Sequence, residues 1–440
     1  MVTTRERARK TPGRLGWRGW LKALGPGLVT GSADDDPSGV ATYAQAGAQY
    51  GFATVWTAPV ALPMMIAVQE MCDRTATATG QTLGRLARRR FGRAGKLVVG
   101  ILLLCLLVAN IVNLGADLMA VGKGMELLGA GPSRVWAPIA GLGLAVLLMS
   151  GSYKLVSRVF AWLCLALFAY VAVMLIAGVQ WGEVLAGLTF QRVHPGVQFW
   201  GLIAAVFGTS ISPYLFFWES GQRIEEMRAR PENGDEPASD TQIPDYKAIR
   251  RRRQQRIDVV TGMVVSTLVM FAIIVATGAT IGRHPTDISS AADAAKALKP
   301  IAGPLAGAVF ALGFIGTGLL GVPVLASAAC IGISGLTDKN WGFDRSPRKA
   351  PLFYGLLVVG LIIGTVLSAM FTDAIALLVF SAMLNAIAAA PFVVVVLLIA
   401  GNRKIMGERA NRGLSTSIGW ATAGIMAGAG VLAVWSQISG

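Results

Sequence analysis

A chain of 440 residues in which 54% are hydrophobic and only 14% charged, with mean hydropathy +0.59, cannot cover its surface with polar groups. A water-soluble fold is therefore excluded, and the composition is that of a polytopic α-helical membrane protein. The net charge of +15 does not imply nucleic acid, because the basic residues lie in short segments between apolar stretches, where membrane orientation and anionic lipid account for them.

The first twenty residues have neither an apolar core of signal-peptide length nor a small-residue cleavage site, so residues 1–23 read as a basic cytoplasmic arm. Eleven apolar stretches follow, near 24–48, 51–71, 97–121, 135–151, 159–180, 197–218, 257–282, 302–333, 351–369, 372–400 and 415–436. With the N-terminus inside, 33 of the 39 Lys/Arg fall on the cytoplasmic side and 6 outside, a bias that one miscounted span would scramble. The C-terminus is then external. Residues 219–256 read as a solvated, mobile cytoplasmic insertion with a basic run from Arg250 to Arg253. Cys72, Cys105, Cys164 and Cys330 have no metal-ligand spacing and read as small buried hydrophobes.

Two stretches cannot remain helical at mid-membrane depth. The first span places Asp34, Asp35 and Asp36 ahead of Pro37, Ser38 and Gly39. Even one carboxylate at the bilayer centre costs at least ~2.5 kcal/mol, so the three must face protein or a cavity. The sixth span carries Gly208, Thr209, Ser210, Ser212 and Pro213 in mid-segment, and a proline there removes a backbone donor. Breaks in spans one and six are what two five-span repeats of opposite orientation produce, with a substrate site at the midplane between them. The reading that competes with this is an interhelical loop at Asp34–Asp36 and a simple proline kink at Pro213. No Lys or Arg lies within the spans, so a bound cation is the natural compensation for the acids. Oxygen-only surroundings, without His or Cys, suit a hard ion such as Mg²⁺, Ca²⁺ or Mn²⁺.

Three segments then carry a resemblance that extends over most of the spans. GPGLVTGSADDDPSG resembles the first-helix segment of the natural resistance-associated macrophage protein (NRAMP) family ending in DPGN, RTATATGQTL resembles a stretch after that family's second helix, and GNRKIMG is close to its SNRKIMG. The resemblance implies an all-α membrane fold of eleven helices with a LeuT-like 5+5 inverted repeat. It implies halves at 24–180 and 197–400, and a cytoplasmic loop with an eleventh helix at 401–440. The activity it implies is uptake of a divalent metal as substrate, with no cofactor and no catalytic residues.

Carried over by position, the metal site comprises Asp36, Gly39, Ser210 and Ser212, lined by Asp35, Ser38, Thr209, Tyr214 and Asn385. This chain departs from the family where the metal chemistry lies. Ser38 and Gly39 take the last two positions of DPGN, and Ser212 replaces the methionine of MPHN, so a soft thioether gives way to a hydroxyl. That pattern is similar to the divergent prokaryotic branch of NRAMP-related magnesium transporters, which implies Mg²⁺ ahead of Mn²⁺. Tyr214 and Glu219 stand in place of the family's helix-six histidines, which implies weak proton coupling or none. The only histidines, His194 and His284, fall in external loops. Asp117 either relays protons or cations or pairs with Asn110 or Asn113. Glu219 either belongs to such a pathway or is a solvated acid at the cytoplasmic mouth. Asn385 either offers an amide oxygen or makes an interhelical hydrogen bond.

The expected function is a secondary transporter of a hard divalent cation in a prokaryotic inner membrane, working by alternating access as a monomer or weak oligomer among lipid. The alternative is a LeuT-fold permease for an organic cation or amino acid. An enzyme is disfavoured, because no HExxH, GxSxG or Walker pattern stands in a supporting context.

Overall fold

The computed structural model describes residues 26–149, 167–193, 196–229, 237–280, 306–371 and 374–439. The N-terminal arm, Cys164, His194, His284 and much of the expected fifth span lie outside them. The described residues are predominantly helical, with no strand among them. In chain order the helices are α1 (Pro26–Asp34), α2 (Pro37–Tyr50), α3 (Thr57–Thr79), α4 (Leu83–Arg90), α5 (Arg93–Leu127), α6 (Ser133–Met149), α7 (Phe168–Ile176), α8 (Trp181–Leu188), α9 (Val197–Ser210) and α10 (Pro213–Ala229). They continue with α11 (Asp245–Thr280), α12 (Ala306–Leu336), α13 (Pro351–Met370), α14 (Ala374–Ala400), α15 (Arg403–Met406) and α16 (Leu414–Ser439).

Among the described residues, seven spans are individually long and apolar enough to cross a membrane, with α9 and α10 counted together, and a pair bent by 111° between α2 and α3 makes eight. The difference from eleven has local causes. The first expected span is divided into α1 and α2, α6 has only 17 residues, and α7 is the described end of the fifth.

Burial separates a centre from a rim. The most apolar window of the α9–α10 span is 94% buried, whereas those of α5 and α16 are 33% and 39% buried. The exposed faces of the outer helices carry Leu97, Val108, Leu142, Ile362 and Val431, the side chains that lipid solvates. Close approach at the centre depends on small residues. A Cβ added at Gly262 of α11 would lie 1.9 Å from the Gly27 carbonyl oxygen, and one at Gly31 would lie 2.2 Å from that of Gly262. The crossing of α1 with α11 therefore tolerates only glycine there.

The expectation of a mobile insertion over 219–256 is corrected for 219–229 and 237–256, the part of it that the structure describes. α10 runs to Ala229 with its side chains buried through Glu225, and α11 begins at Asp245, so the basic run Arg250–Arg253 is helical. Arg251 and Arg252 are held by Asp240, at 3.7 and 3.1 Å. Charge density suggested solvation, but ion pairing and burial hold these described residues in place instead.

Candidate functional site at the two helix breaks

Asp36 is the first residue after α1 that must leave the helix, because Pro37 has no N–H to give and fixes the first turn of α2. Its extended backbone makes it the N-cap of α2, and its Oδ1 accepts from Gly39 N at 3.0 Å and from Ser38 Oγ at 2.5 Å. Its Oδ2 accepts from Asn113 Nδ2 of α5 at 3.0 Å and from the Tyr214 hydroxyl of α10 at 3.1 Å. One carboxylate thus gathers donors from three helices. The second break follows the same logic at Pro213: α9 ends at Ser210 and α10 begins after Ser212. The breaks meet through Ser38 Oγ and Thr209 Oγ1, 3.2 Å apart, and through Tyr43 OH and Ser210 Oγ, 2.9 Å apart.

The other acids are less satisfied. Asp34 Oδ2 accepts from Ser266 Oγ at 2.8 Å while its Oδ1 has no partner, and neither oxygen of Asp35 or of Asp117 has one, although all three residues are fully buried. Gly321 of α12 explains how Asp117 and Asp36 share the site. A Cβ on Gly321 would lie 2.9 Å from Asp117 Oδ2 and 2.9 Å from Asp36 Cβ, so the two acids face the same glycine. Asn110 donates to the Leu325 carbonyl and Asn113 to Asp36, so neither pairs with Asp117 as the sequence had allowed.

Several expected site residues take other roles. Gly39 contributes a backbone donor to Asp36. The Ser212 hydroxyl turns back onto α9, donating to the carbonyls of Gly208 and Thr209 at 2.8 and 2.7 Å. Ser210 Oγ bonds Val206 O and also approaches Met270 Sδ at 3.7 Å, so a thioether of α11 lies behind the site. Asn385 is buried with its Nδ2 unpartnered, one turn beyond Ser381, whose hydroxyl donates to Asn113 Oδ1 at 2.6 Å. Among the described residues no three His, Cys, Asp or Glu side chains converge as a metal cluster. A cation here would be held by one carboxylate with hydroxyl, amide, carbonyl or water oxygens.

Glu219 is not a solvated acid. It is fully buried, accepts from Thr30 Oγ1 of α1, and lies 3.9 Å from Arg223. Arg223, buried within α10, also binds Asp73 of α3, Glu226 and, at 2.9 Å, Asp258 of α11. Asp258 in turn accepts from the first amides of α1, Gly27 N at 2.9 Å and Leu28 N at 3.2 Å. The end of α1 is thereby tied to α3, α10 and α11 by one ion network. Sequence reasoning missed this network because its members sit at the ends of apolar stretches. It also read Asn113 only as one of two partners for Asp117, although an amide four residues before that acid, on the same helix face, was a signal.

Comparison with known proteins identifies this architecture. The family model for natural resistance-associated macrophage protein-like (Nramp) proteins matches residues 27–436. The chain belongs to the Nramp family. Among its relatives is the divalent metal cation transporter MntH of Deinococcus radiodurans, 25% identical over 98% of this chain and 94% of that one. Another is MntH of Chromohalobacter salexigens, 26% identical over 96% and 93%. A crystal structure of a mutant Eremococcus coleocola manganese transporter superposes with TM-score 0.75 at 15% identity, covering 97% of this chain and 89% of that one. Mhp1, a nucleobase-cation-symport-1 family transporter, matches more distantly, with TM-score 0.54 at 15% identity over 94% and 91%. The fold is LeuT-like, as the family resemblance implied. Nramp proteins are transporters and not enzymes, and the metal ions they move are substrates that call for no cofactor. This Nramp chain is a multi-pass inner-membrane protein.

Proposed function

We propose that this Nramp protein carries a hard divalent metal cation, Mg²⁺ ahead of Mn²⁺, across the membrane by alternating access, with little or no proton coupling. The observation that carries the reading is Asp36: a buried carboxylate at a helix break, reached from three helices, with neutral donors and no Lys or Arg bonded to it. A hard dication can displace those donors and be met by the oxygens of Ser38, Thr209, Tyr214 and Asn113. Relatives named as divalent metal transporters, together with a carboxylate where organic-solute carriers use backbone, speak for metal over an organic cation or amino acid. Mg²⁺ is favoured over Mn²⁺ because the groups bonded to Asp36 are hydroxyl, amide and backbone N–H, while the nearby thioether of Met270 is turned to Ser210.

In this reading residues 24–180 and 197–400 are the two inverted halves, flanked by the 1–23 arm and the 401–440 segment, with the N-terminus cytoplasmic and the C-terminus external. The Arg223 network then closes the cytoplasmic end of the path, and releasing α1 from it opens the path inward. Proteoliposome uptake compared for Mg²⁺, Mn²⁺ and Ca²⁺ tests the proposal. Saturable Mg²⁺ uptake that exceeds Mn²⁺ uptake is expected, and a carrier that moves Mn²⁺ while ignoring Mg²⁺ would overturn the ion assignment.

A further inference from the structure

A second polar cavity lies away from the helix breaks. A cleft of about 190 Å³ opens between the ends of α3 and α11 and the segment after α15, on the face that the charge distribution assigns to the cytoplasm. Arg74, Arg252, Gln255, Arg256 and Arg409 line it, with Glu70 and Asp73 as its acids. Most of that negative charge is already committed. Asp73 is bound to Arg223, and Glu70 lies 3.5 Å from Arg74. Asp240, beside the cleft and nearly inaccessible, is shared among Arg251, Arg252 and Arg409 at 3.7, 3.1 and 3.6 Å. Arg256 has no acidic partner among the described residues. Positive charge therefore exceeds negative around a partly open cleft, a field that favours entry of an anion.

Unused donors point the same way. Gln255 is 5% exposed and its Nε2 has no hydrogen-bond partner, the buried Nε of Arg74 also lacks one, and Arg409 Nε meets Asp240 only at ion-pair distance, 3.6 Å. Burial holds the Arg409 guanidinium below its ordinary range; Asp240 opposes this, while Arg252 and Arg74 push further down, as expected for cations crowded without a full counter-charge.

We propose that this cleft is a binding site for a phosphate-bearing anion, held by Arg256, Arg252 and Arg409 with the Gln255 amide. Guanidinium forks match the oxygens of a phosphate group, and an amide donor completes a tetrahedral acceptor. A free phosphate compound and an anionic lipid headgroup share this chemistry. The inference is independent of which ion the transporter carries, since none of these residues belongs to the site at the helix breaks.

The test uses the full-length protein in phosphatidylcholine nanodiscs, free of divalent metal, with thermal unfolding as the readout. Inorganic phosphate should raise Tm above sodium chloride of equal ionic strength, in proportion to the logarithm of its concentration once saturating, and Arg256→Gln/Arg409→Gln should lose that shift. If instead phosphatidylglycerol in the nanodisc raises Tm and the double variant loses that shift, the occupant is a lipid headgroup. Arg256→Gln alone, at an exposed position, guards against a folding defect and should weaken either response. No shift from either source, or equal shifts in wild type and double variant, would overturn the site.

Discussion

Among the described residues two groups of four carboxylates, all buried but the half-buried Glu226, differ by one arginine. Asp34, Asp35, Asp36 and Asp117 surround the helix breaks with only neutral donors bonded to them, while Asp73, Glu219, Glu226 and Asp258 surround Arg223. Both arrangements place negative charge in a poorly solvated region, where an unpaired charge is expensive. The second carries its own fixed cation, which ties α1, α3, α10 and α11 together. The first has none, which is what the proposed function calls for: on that reading its cation is the cargo, and the resident guanidinium of the second builds a latch.

Removing the central carboxylate should have the largest effect on transport. Asp36→Ala deletes the acceptor for Ser38, Gly39, Asn113 and Tyr214 at once, and with it the anion that faces the cargo. Metal uptake should fall to the level of empty liposomes while the protein still elutes as a folded species. Asp34→Asn should be milder, since Ser266 can serve a neutral amide. Near-normal uptake by folded Asp36→Ala would sink the cargo side of the comparison.

The latch should show its arginine mainly in stability. Arg223→Met removes the guanidinium that Asp73, Glu219 and Asp258 share in a buried region, which costs roughly 3–5 kcal/mol by analogy with broken buried pairs. Denaturant unfolding in detergent measures that loss. Hydrogen exchange over residues 26–34 should also quicken, because Asp258 loses the partner that orients it toward the amides of Gly27 and Leu28. Unchanged protection of α1 would show that its glycine contacts with α11 hold it without the ion network.

How much of this was legible beforehand follows from what each residue signals alone. Asp36–Pro37 and Ser212–Pro213 announce their breaks, because proline and carboxylate violate local rules for a membrane helix wherever they stand. The donors that converge on Asp36 are separated from it by as many as 178 residues, and Tyr214 and Asn113 are ordinary side chains until the fold brings them in. Arg223 was misread for a similar reason. At the edge of an apolar stretch it looks solvated, and only the extension of α10 through Ala229 buries it.

Ser212 sharpens the comparison by asking which donors the cargo site presents. Ser212→Met removes a hydroxyl that caps α9 and introduces a soft sulfur beside the break. The ratio of Mn²⁺ to Mg²⁺ uptake should rise by about tenfold, equivalent to about 1.4 kcal/mol of relative affinity. Met270→Leu should leave Mg²⁺ uptake unchanged, since that thioether faces Ser210. A large loss of Mg²⁺ transport in Met270→Leu would place sulfur in the site and reverse the hard-ion assignment.

The smallest expected signal is proton movement. A relay needs groups that titrate near neutral pH and hand the proton on. Tyr214 donates its hydroxyl hydrogen to Asp36, and tyrosine ordinarily titrates at about pH 10, so it holds that proton through the working range. Glu219 is engaged by Thr30 and lies beside Arg223, which gives it a part in the latch. Asp117 is left, but among the described residues no side chain bonds to it to continue a chain. The membrane potential is sufficient without protons, because it contributes ~2.3 kcal/mol per charge per 100 mV and a dication receives twice that. In liposomes carrying an internal pH dye and an inside-negative potassium diffusion potential, metal should enter without acidifying the lumen. Asp117→Asn should keep its dependence on voltage. Acidification that follows metal entry and disappears in Asp117→Asn would make this acid a proton carrier, and the cargo site would then exchange two kinds of cation.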